Sequence, residues 1–67
     1  MKYRQKKYKV GELYTIKRYS YFNNDRLISI FIEEKYNGDN VFYCPEINQY
    51  IIVDYKNHWI MKIEKYE

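Results

Sequence analysis

The sequence predicts an all-β fold, a small five-stranded antiparallel barrel or bent sheet. Residue types that suit a pleated sheet (Ile, Val, Thr, Tyr, Phe and Trp) make up 27 of the 67 residues, whereas alanine is absent and leucine occurs twice. Short strand-like runs alternate with turn residues roughly every ten positions, a spacing typical of small barrels. Closing such a sheet would remove its two exposed edges.

Five strands are expected from these runs. Asn37-Gly38 separates the second from the third and indicates a hairpin with a type I′ turn, which needs positive φ at both central residues. Pro45 should end the third strand, because proline has no amide hydrogen for the ladder. A helix is the alternative over Ile47–Tyr55, but two adjacent isoleucines and a valine disfavour it. The expected strands cover residues 14–22, 27–36, 40–44, 50–55 and 59–66, with turns at 23–25, 46–49 and 56–58.

The expected core follows from the alternation of side chains along each strand. In the second strand Ile28, Ile30 and Ile32 share one face, which we assign to the core. Phe31 interrupts the alternation, so the opposite face is expected to be partly covered as well. The full expected core is Ile16, Ile28, Ile30, Ile32, Val41, Ile51, Val53, Ile60 and Ile63.

The segment Tyr8–Ile16 has a turn of valine, glycine and an acid, Val10-Gly11-Glu12, before its strand. In this it resembles the opening strand of SH3-like barrels. The resemblance covers these nine residues and the strand count. It implies an SH3-like barrel as the form of the sheet, and no functional residue is carried over from it.

Positive charge is concentrated at the start of the chain. Residues 1–9 carry five basic side chains and no acid, whereas residues 10–67 carry seven basic and nine acidic ones, a net charge of −2. We therefore divide the chain into a basic N-terminal arm, residues 1–8, and a single β domain, residues 9–67. The arm either contacts phosphates or an acidic protein, or is a solubilising tail. The candidate binding residues of this basic segment are Lys2, Arg4, Lys6, Lys7 and Lys9.

The residues with catalytic or metal-binding chemistry are few. Cys44 and His58, the one cysteine and the one histidine, cannot supply the three or four ligands of a zinc site. Cys44 stands among apolar residues, which is more typical of a core residue than of a nucleophile. Glu33 and Glu34 are adjacent, so on a strand they point to opposite faces. We therefore expect a protein that is not an enzyme and that has no metal and no cofactor.

Composition also bears on the compartment. A single cysteine forms no intramolecular disulfide, which fits a reducing cytoplasm. The apolar runs are far shorter than the roughly 20 residues of a membrane helix, and no apolar segment follows the basic start as in a secretory signal. We expect a cytoplasmic protein with no membrane partner. Lys, Asn, Ile, Tyr and Phe account for 37 of the 67 residues, which indicates an AT-rich genome such as that of a low-GC bacterium, its phages or its plasmids.

The aromatic residues suggest a contact surface. Fourteen are many for so small a core, and ten tyrosines against three phenylalanines favour positions with an apolar body and a polar tip. Tyrosine and tryptophan are enriched at binding hot spots, although cross-strand tyrosine pairs could also account for them. The candidate binding aromatics are Tyr43, Tyr55 and Trp59.

Two classes of function follow. The first is a non-enzymatic module that docks on a larger protein and modulates or inhibits it, as many small phage and mobile-element proteins do. The alternative is a nucleic-acid-binding barrel that uses aromatic stacking and the basic arm. The net charge of −2 on the body favours a protein partner. A homodimer is a further arrangement, because a second copy can cover an open sheet edge.

Overall fold

The computed structural model describes residues 7–19 and 24–67. They form five β-strands and one short 3-10 helix. The strands make a single antiparallel sheet in the order β4-β3-β2-β1-β5, so β4 and β5 are its edges. The all-β prediction is confirmed. The elements are β1 (Leu13–Tyr19), β2 (Asn24–Glu34), β3 (Asn40–Cys44), β4 (Gln49–Val53), the 3-10 helix (His58–Ile60) and β5 (Met61–Lys65).

One strand has the predicted bounds and the others differ at their ends. Trp59 and Ile60, predicted to begin the fifth strand, lie in the 3-10 helix, and β5 begins at Met61. β3 has the predicted bounds and stops directly before Pro45. Gln49–Val53 is a strand, which rules out the helical alternative there. β2 begins at Asn24, which pairs with Tyr19, so the predicted turn at 23–25 is wrong for Asn24 and Asp25. Residues 20–22, predicted to extend the first strand, lie outside the described residues. No helix in the described part of the chain is long and apolar enough to cross a membrane.

The β2–β3 hairpin forms where it was predicted, but with a different turn. The amide of Gly38 donates to the carbonyl oxygen of Lys35, and the amide of Lys35 donates to that of Asp39, both at 2.8 Å. Gly38 has a φ of 95°, whereas Asn37 is not among the residues with positive φ. This is the three-residue hairpin loop in which a type I turn is followed by a left-handed glycine. The predicted type I′ turn is therefore wrong.

The core lies on one face of the sheet, called here the inner face. Its centre is an aromatic cluster in which the ring of Tyr8 contacts those of Tyr14, Phe31 and Phe42 at centroid distances of 5.2 to 5.5 Å. Edge-on contacts of this kind add about 0.5–1.5 kcal/mol per pair beyond the area they bury. Met61 and Ile63 of β5 pack against the same cluster. The other buried members are Ile16, Leu27, Cys44, Ile51 and Val53.

The side chains of β2 face opposite to the prediction. Leu27, Ser29 and Phe31 point to the inner face and are buried, whereas Ile28 and Ile30 are half-buried and Ile32 is 37% exposed. Phe31 decides the register because its ring completes the aromatic cluster, and a shift of one residue reverses every side chain of a strand.

Elsewhere the core prediction is partly correct. Ile16, Ile51 and Val53 are buried in the core. Val41 is also buried, but on the opposite face of the sheet. Ile60 and Ile63 are only half-buried because they lie beside the open edge at β5.

Candidate binding surface

The face of the sheet opposite the core, called here the outer face, has a row of apolar and aromatic residues crossing every strand. The pairing register places Tyr50 opposite Tyr43, Tyr43 opposite Ile30 and Ile30 opposite Leu13. The amide of Tyr66, just after β5, donates to the carbonyl oxygen of Leu13 at 3.1 Å and so continues the row. With neighbouring strands roughly 4.8 Å apart, the row is about 19 Å long. We call it the transverse row: Tyr50, Tyr43, Ile30, Leu13 and Tyr66.

The transverse row is open to solvent at both ends. Tyr50 is 66% exposed and Tyr66 is 45% exposed. Of the three residues between them, Tyr43 and Ile30 are half-buried and Leu13 is 40% exposed. Tyr43 makes two contacts with β4 and the residue before it: the centroid of its ring lies 5.0 Å from that of Tyr50, and its hydroxyl donates to Oδ1 of Asn48. The row is therefore a partly ordered surface before any partner binds.

More apolar residues adjoin the transverse row. Ile52 and Val41 are paired across β4 and β3, and Ile28 faces Thr15 across β2 and β1. A shallow hollow of about 440 Å³ lies beside the row. Its lining includes Thr15, Arg26, Ile28, Glu64 and Tyr66. The outer face thus combines an apolar strip with a small depression.

Basic residues form a second row on the same face. Lys17 lies directly opposite Arg26 on β2 and directly opposite Lys62 on β5. Among the described residues, the ion pair that reaches this row joins Nζ of Lys17 to Glu64 at 3.5 Å. Like charges directly opposite each other destabilise a sheet. The outer face therefore has an apolar centre and one basic end.

The predicted binding aromatics lie on different surfaces. Tyr43 belongs to the transverse row. Tyr55 and Trp59 lie on the connection between β4 and β5 and are 79% and 74% exposed. The indole Nε1 of Trp59 donates to the carbonyl oxygen of Lys56 at 2.9 Å, which orients its ring on this connection. The structure does not bring these three residues into one patch.

The basic segment is described only in part. Lys2, Arg4 and Lys6 lie outside the described residues. Lys7 and Lys9 are exposed on either side of Tyr8, and the ammonium of Lys7 lies 5.9 Å from the Tyr8 ring centroid. The amide of Lys9 donates to the Tyr14 hydroxyl at 2.8 Å. Burial of Tyr8, with a smaller contribution from the nearby Tyr14, raises the pKa of its phenol above 10.0.

A cleft of about 830 Å³ opens on the inner side, between the two edges of the sheet. Its walls include Val53 and Tyr55 on one side and Ile63 on the other, with Tyr8 and Tyr14 between them. Lysines and aspartates both reach the cleft, so its charge matches no single class of ligand. The charged or titratable lining residues besides the tyrosines are Lys7, Asp39, Asp54, His58, Lys65 and Lys62. Lys62 belongs to the outer face by its pairing with Lys17 and borders the cleft because β5 is an edge strand.

The two residues with catalytic chemistry are in unlike surroundings. The side chain of Cys44 is fully buried in the core on β3. His58 is exposed at the start of the 3-10 helix. Comparisons with protein-family models, with curated proteins and with solved structures found no match to this chain.

Most residues of the transverse row were absent from the predicted site. The prediction included Tyr43 and missed Leu13, Ile30, Tyr50 and Tyr66. A signal was present in β4, where Tyr50 and Ile52 alternate with the core residues Ile51 and Val53. The row itself depends on register between strands that are distant in sequence.

Proposed function

We propose that this protein is a non-enzymatic binding module that docks on a larger protein through its outer face and modulates or inhibits that protein. The observation that carries the proposal is the transverse row, which crosses all the strands and is exposed at both ends. Large exposed apolar patches are uncommon on monomeric proteins and mark interaction sites.

The dimensions of the outer face fit a protein contact. The row is about 19 Å long, and Ile28, Ile32 and Ile52 widen it along the strands. Specific interfaces bury roughly 800 Å² on each partner, with an apolar centre and a polar rim. The basic row and Glu64 provide that rim at one end.

The proposal extends to the origin of the protein and to the curvature of its sheet. The composition supports an origin in a phage or mobile element of an AT-rich bacterium, acting in the host cytoplasm. An SH3-like arrangement is our proposal for the curvature of the sheet, supported by the cleft that separates its two edges. Binding through the outer face would block a surface of the partner without any chemical step.

A nucleic-acid-binding sheet is the second candidate, because Tyr43, Tyr50 and Tyr66 share the outer face with three basic residues. Bases stack on aromatic rings, and phosphates pair with such cations. The centre of the row favours a protein instead. Two of the row's three inner residues, Ile30 and Leu13, are aliphatic and provide no stacking platform.

A capture experiment with matched variants tests the proposal. Tagged wild-type protein, Tyr50→Asp and Tyr36→Asp are incubated with lysate of the source cell, with and without nuclease. Tyr36 is the control because it is a fully exposed tyrosine on the β2–β3 hairpin, outside the transverse row. We expect one defined protein to bind wild type and Tyr36→Asp after nuclease treatment, and to be lost with Tyr50→Asp. Binding lost with nuclease supports the second candidate, and equal capture by all three proteins contradicts the proposal.

A further inference from the structure

The basic end of the outer face is arranged at a cost to the free protein. Lys17 faces a cation on each side, Arg26 on β2 and Lys62 on β5. Like charges directly opposite each other in an antiparallel pair destabilise a sheet. In the described part of the chain, two acids lie near these three cations: the Glu64 carboxylate is 3.5 Å from Nζ of Lys17, and Glu67 lines the same hollow as Arg26. The basic row therefore retains a net positive charge.

The other strand neighbours do not show this pattern. Lys65, on the same edge strand, is 3.9 Å from Glu12. Its cross-strand partner is the uncharged Tyr14. The concentration of like charge is thus specific to the row formed by Lys17, Arg26 and Lys62.

The basic row lies within reach of any partner that covers the transverse row. Leu13 and Ile30 are each four residues from the basic row along their strands, at Lys17 and Arg26. At about 3.4 Å per residue this separation is roughly 14 Å. The hollow lined by Ile28 and Tyr66 lies between the two rows. One standard-size interface covers all three features.

We propose that the partner protein presents an acidic flank beside an apolar patch, with Asp or Glu side chains placed against Arg26, Lys17 and Lys62. This inference rests on the proposed function and specifies the chemistry of its partner. Carboxylates at these positions would relieve the repulsion within the basic row. They would also steer association and fix the orientation of the apolar contact.

The test uses the protein captured by the wild type, purified and titrated with charge variants. Arg26→Gln/Lys62→Gln removes two charges from the basic row. Lys35→Gln/Lys56→Gln is the matched control, with the same change in net charge at exposed positions outside the outer face. We expect the first variant to lower affinity at least tenfold at low salt and to flatten its salt dependence, while the control changes affinity less than threefold. The unfolding midpoint of Arg26→Gln/Lys62→Gln should stay level or rise.

The other outcomes separate failure of the acidic flank from failure of the proposed function. If Tyr50→Asp abolishes binding but Arg26→Gln/Lys62→Gln does not weaken it, the proposed function stands and the acidic flank is wrong. If Arg26→Gln/Lys62→Gln lowers the unfolding midpoint and leaves affinity unchanged, the basic row has a structural role and the inference is overturned. If the captured ligand is RNA or DNA, the charge pairs with phosphates and both proposals fail together.

Discussion

The side-chain amide of Asn57 occupies part of the free edge of β4 by bonding to Ile52. Its Nδ2 donates to the carbonyl oxygen of Ile52 at 2.9 Å, and its Oδ1 accepts from the amide of Asp54 at 2.8 Å. These are the groups that the next strand of a sheet would bind. Asn57 therefore acts as a one-residue substitute for a sixth strand and limits pairing with other chains at this edge.

Replacing Asn57 should destabilise the domain measurably. Asn57→Ala removes both side-chain hydrogen bonds, so we expect the free energy of unfolding to fall by about 1–2 kcal/mol. His58→Ala is the control on the same connection, where the side chain is exposed, and should change stability by less than about 0.5 kcal/mol. Urea unfolding followed by tryptophan fluorescence measures both. Equal stability of the two variants would remove the edge-capping role from Asn57.

The orientation of β2 is tested by two neighbouring residues. Phe31 lies in the aromatic cluster and Ile30 on the outer face. Phe31→Ala should cost about 3–5 kcal/mol. Ile30→Ala should cost about 1 kcal/mol, because its side chain is only half-buried.

A domain of this size has little stability in reserve, so Phe31→Ala is expected to leave much of the protein unfolded. Phe31→Leu provides a milder readout and should still lower the melting temperature more than Ile30→Ala. The reverse order would show that the three isoleucines face the core, as the sequence analysis expected.

The β2–β3 turn is tested at Asn37 and Gly38, the last two residues of its loop. Gly38 has a φ of 95°, so Gly38→Val should cost about 1–2 kcal/mol in strain, even though the space around it is open. Asn37 does not have a positive φ, so Asn37→Ala loses only its exposed hydrogen bonds to Asp39. Its effect should stay below about 1 kcal/mol. Thermal melts compare the two variants, and an equal loss of stability would support the type I′ turn.

Tyr8 makes stability sensitive to alkaline pH. Burial raises the pKa of its phenol in the folded state, so the folded protein holds this proton more tightly than the unfolded chain. The stabilisation is complete below pH 10 and is lost as the pH rises through the raised pKa. Tyr8→Phe should flatten the decline in stability above pH 10, whereas Tyr36→Phe, at a fully exposed position, should not. If stability declines as steeply in Tyr8→Phe as in the wild type, groups other than Tyr8 cause the decline.

Local signals predicted much of this fold, and pairing between strands set the remainder. Asn37-Gly38 and Pro45 predicted the two ends of β3 correctly, because glycine and proline restrict or permit backbone conformations locally, whatever the rest of the fold. The run Leu27–Ile32 is apolar on both faces except at Ser29, so alternation could not determine which side faces the core. That choice depends on Tyr8 and Phe42, whose rings contact Phe31 from other parts of the chain. The transverse row could not be predicted from the sequence for the same reason.

Measuring how much affinity Tyr50 and Tyr66 contribute, at the two ends of the transverse row, tests whether the protein binds its partner through the outer face. Tyr50 and Tyr66 lie on opposite edges of the sheet, about 19 Å apart. Tyr55→Ala and Trp59→Ala are the matched variants, because these exposed aromatics lie on the β4–β5 connection. Calorimetric titration with the captured partner should show a loss of about 2 kcal/mol for Tyr50→Ala and for Tyr66→Ala, and less than threefold changes for the other two. If Trp59→Ala or Tyr55→Ala lowers affinity while Tyr50→Ala and Tyr66→Ala do not, the partner binds at the β4–β5 connection and not at the transverse row.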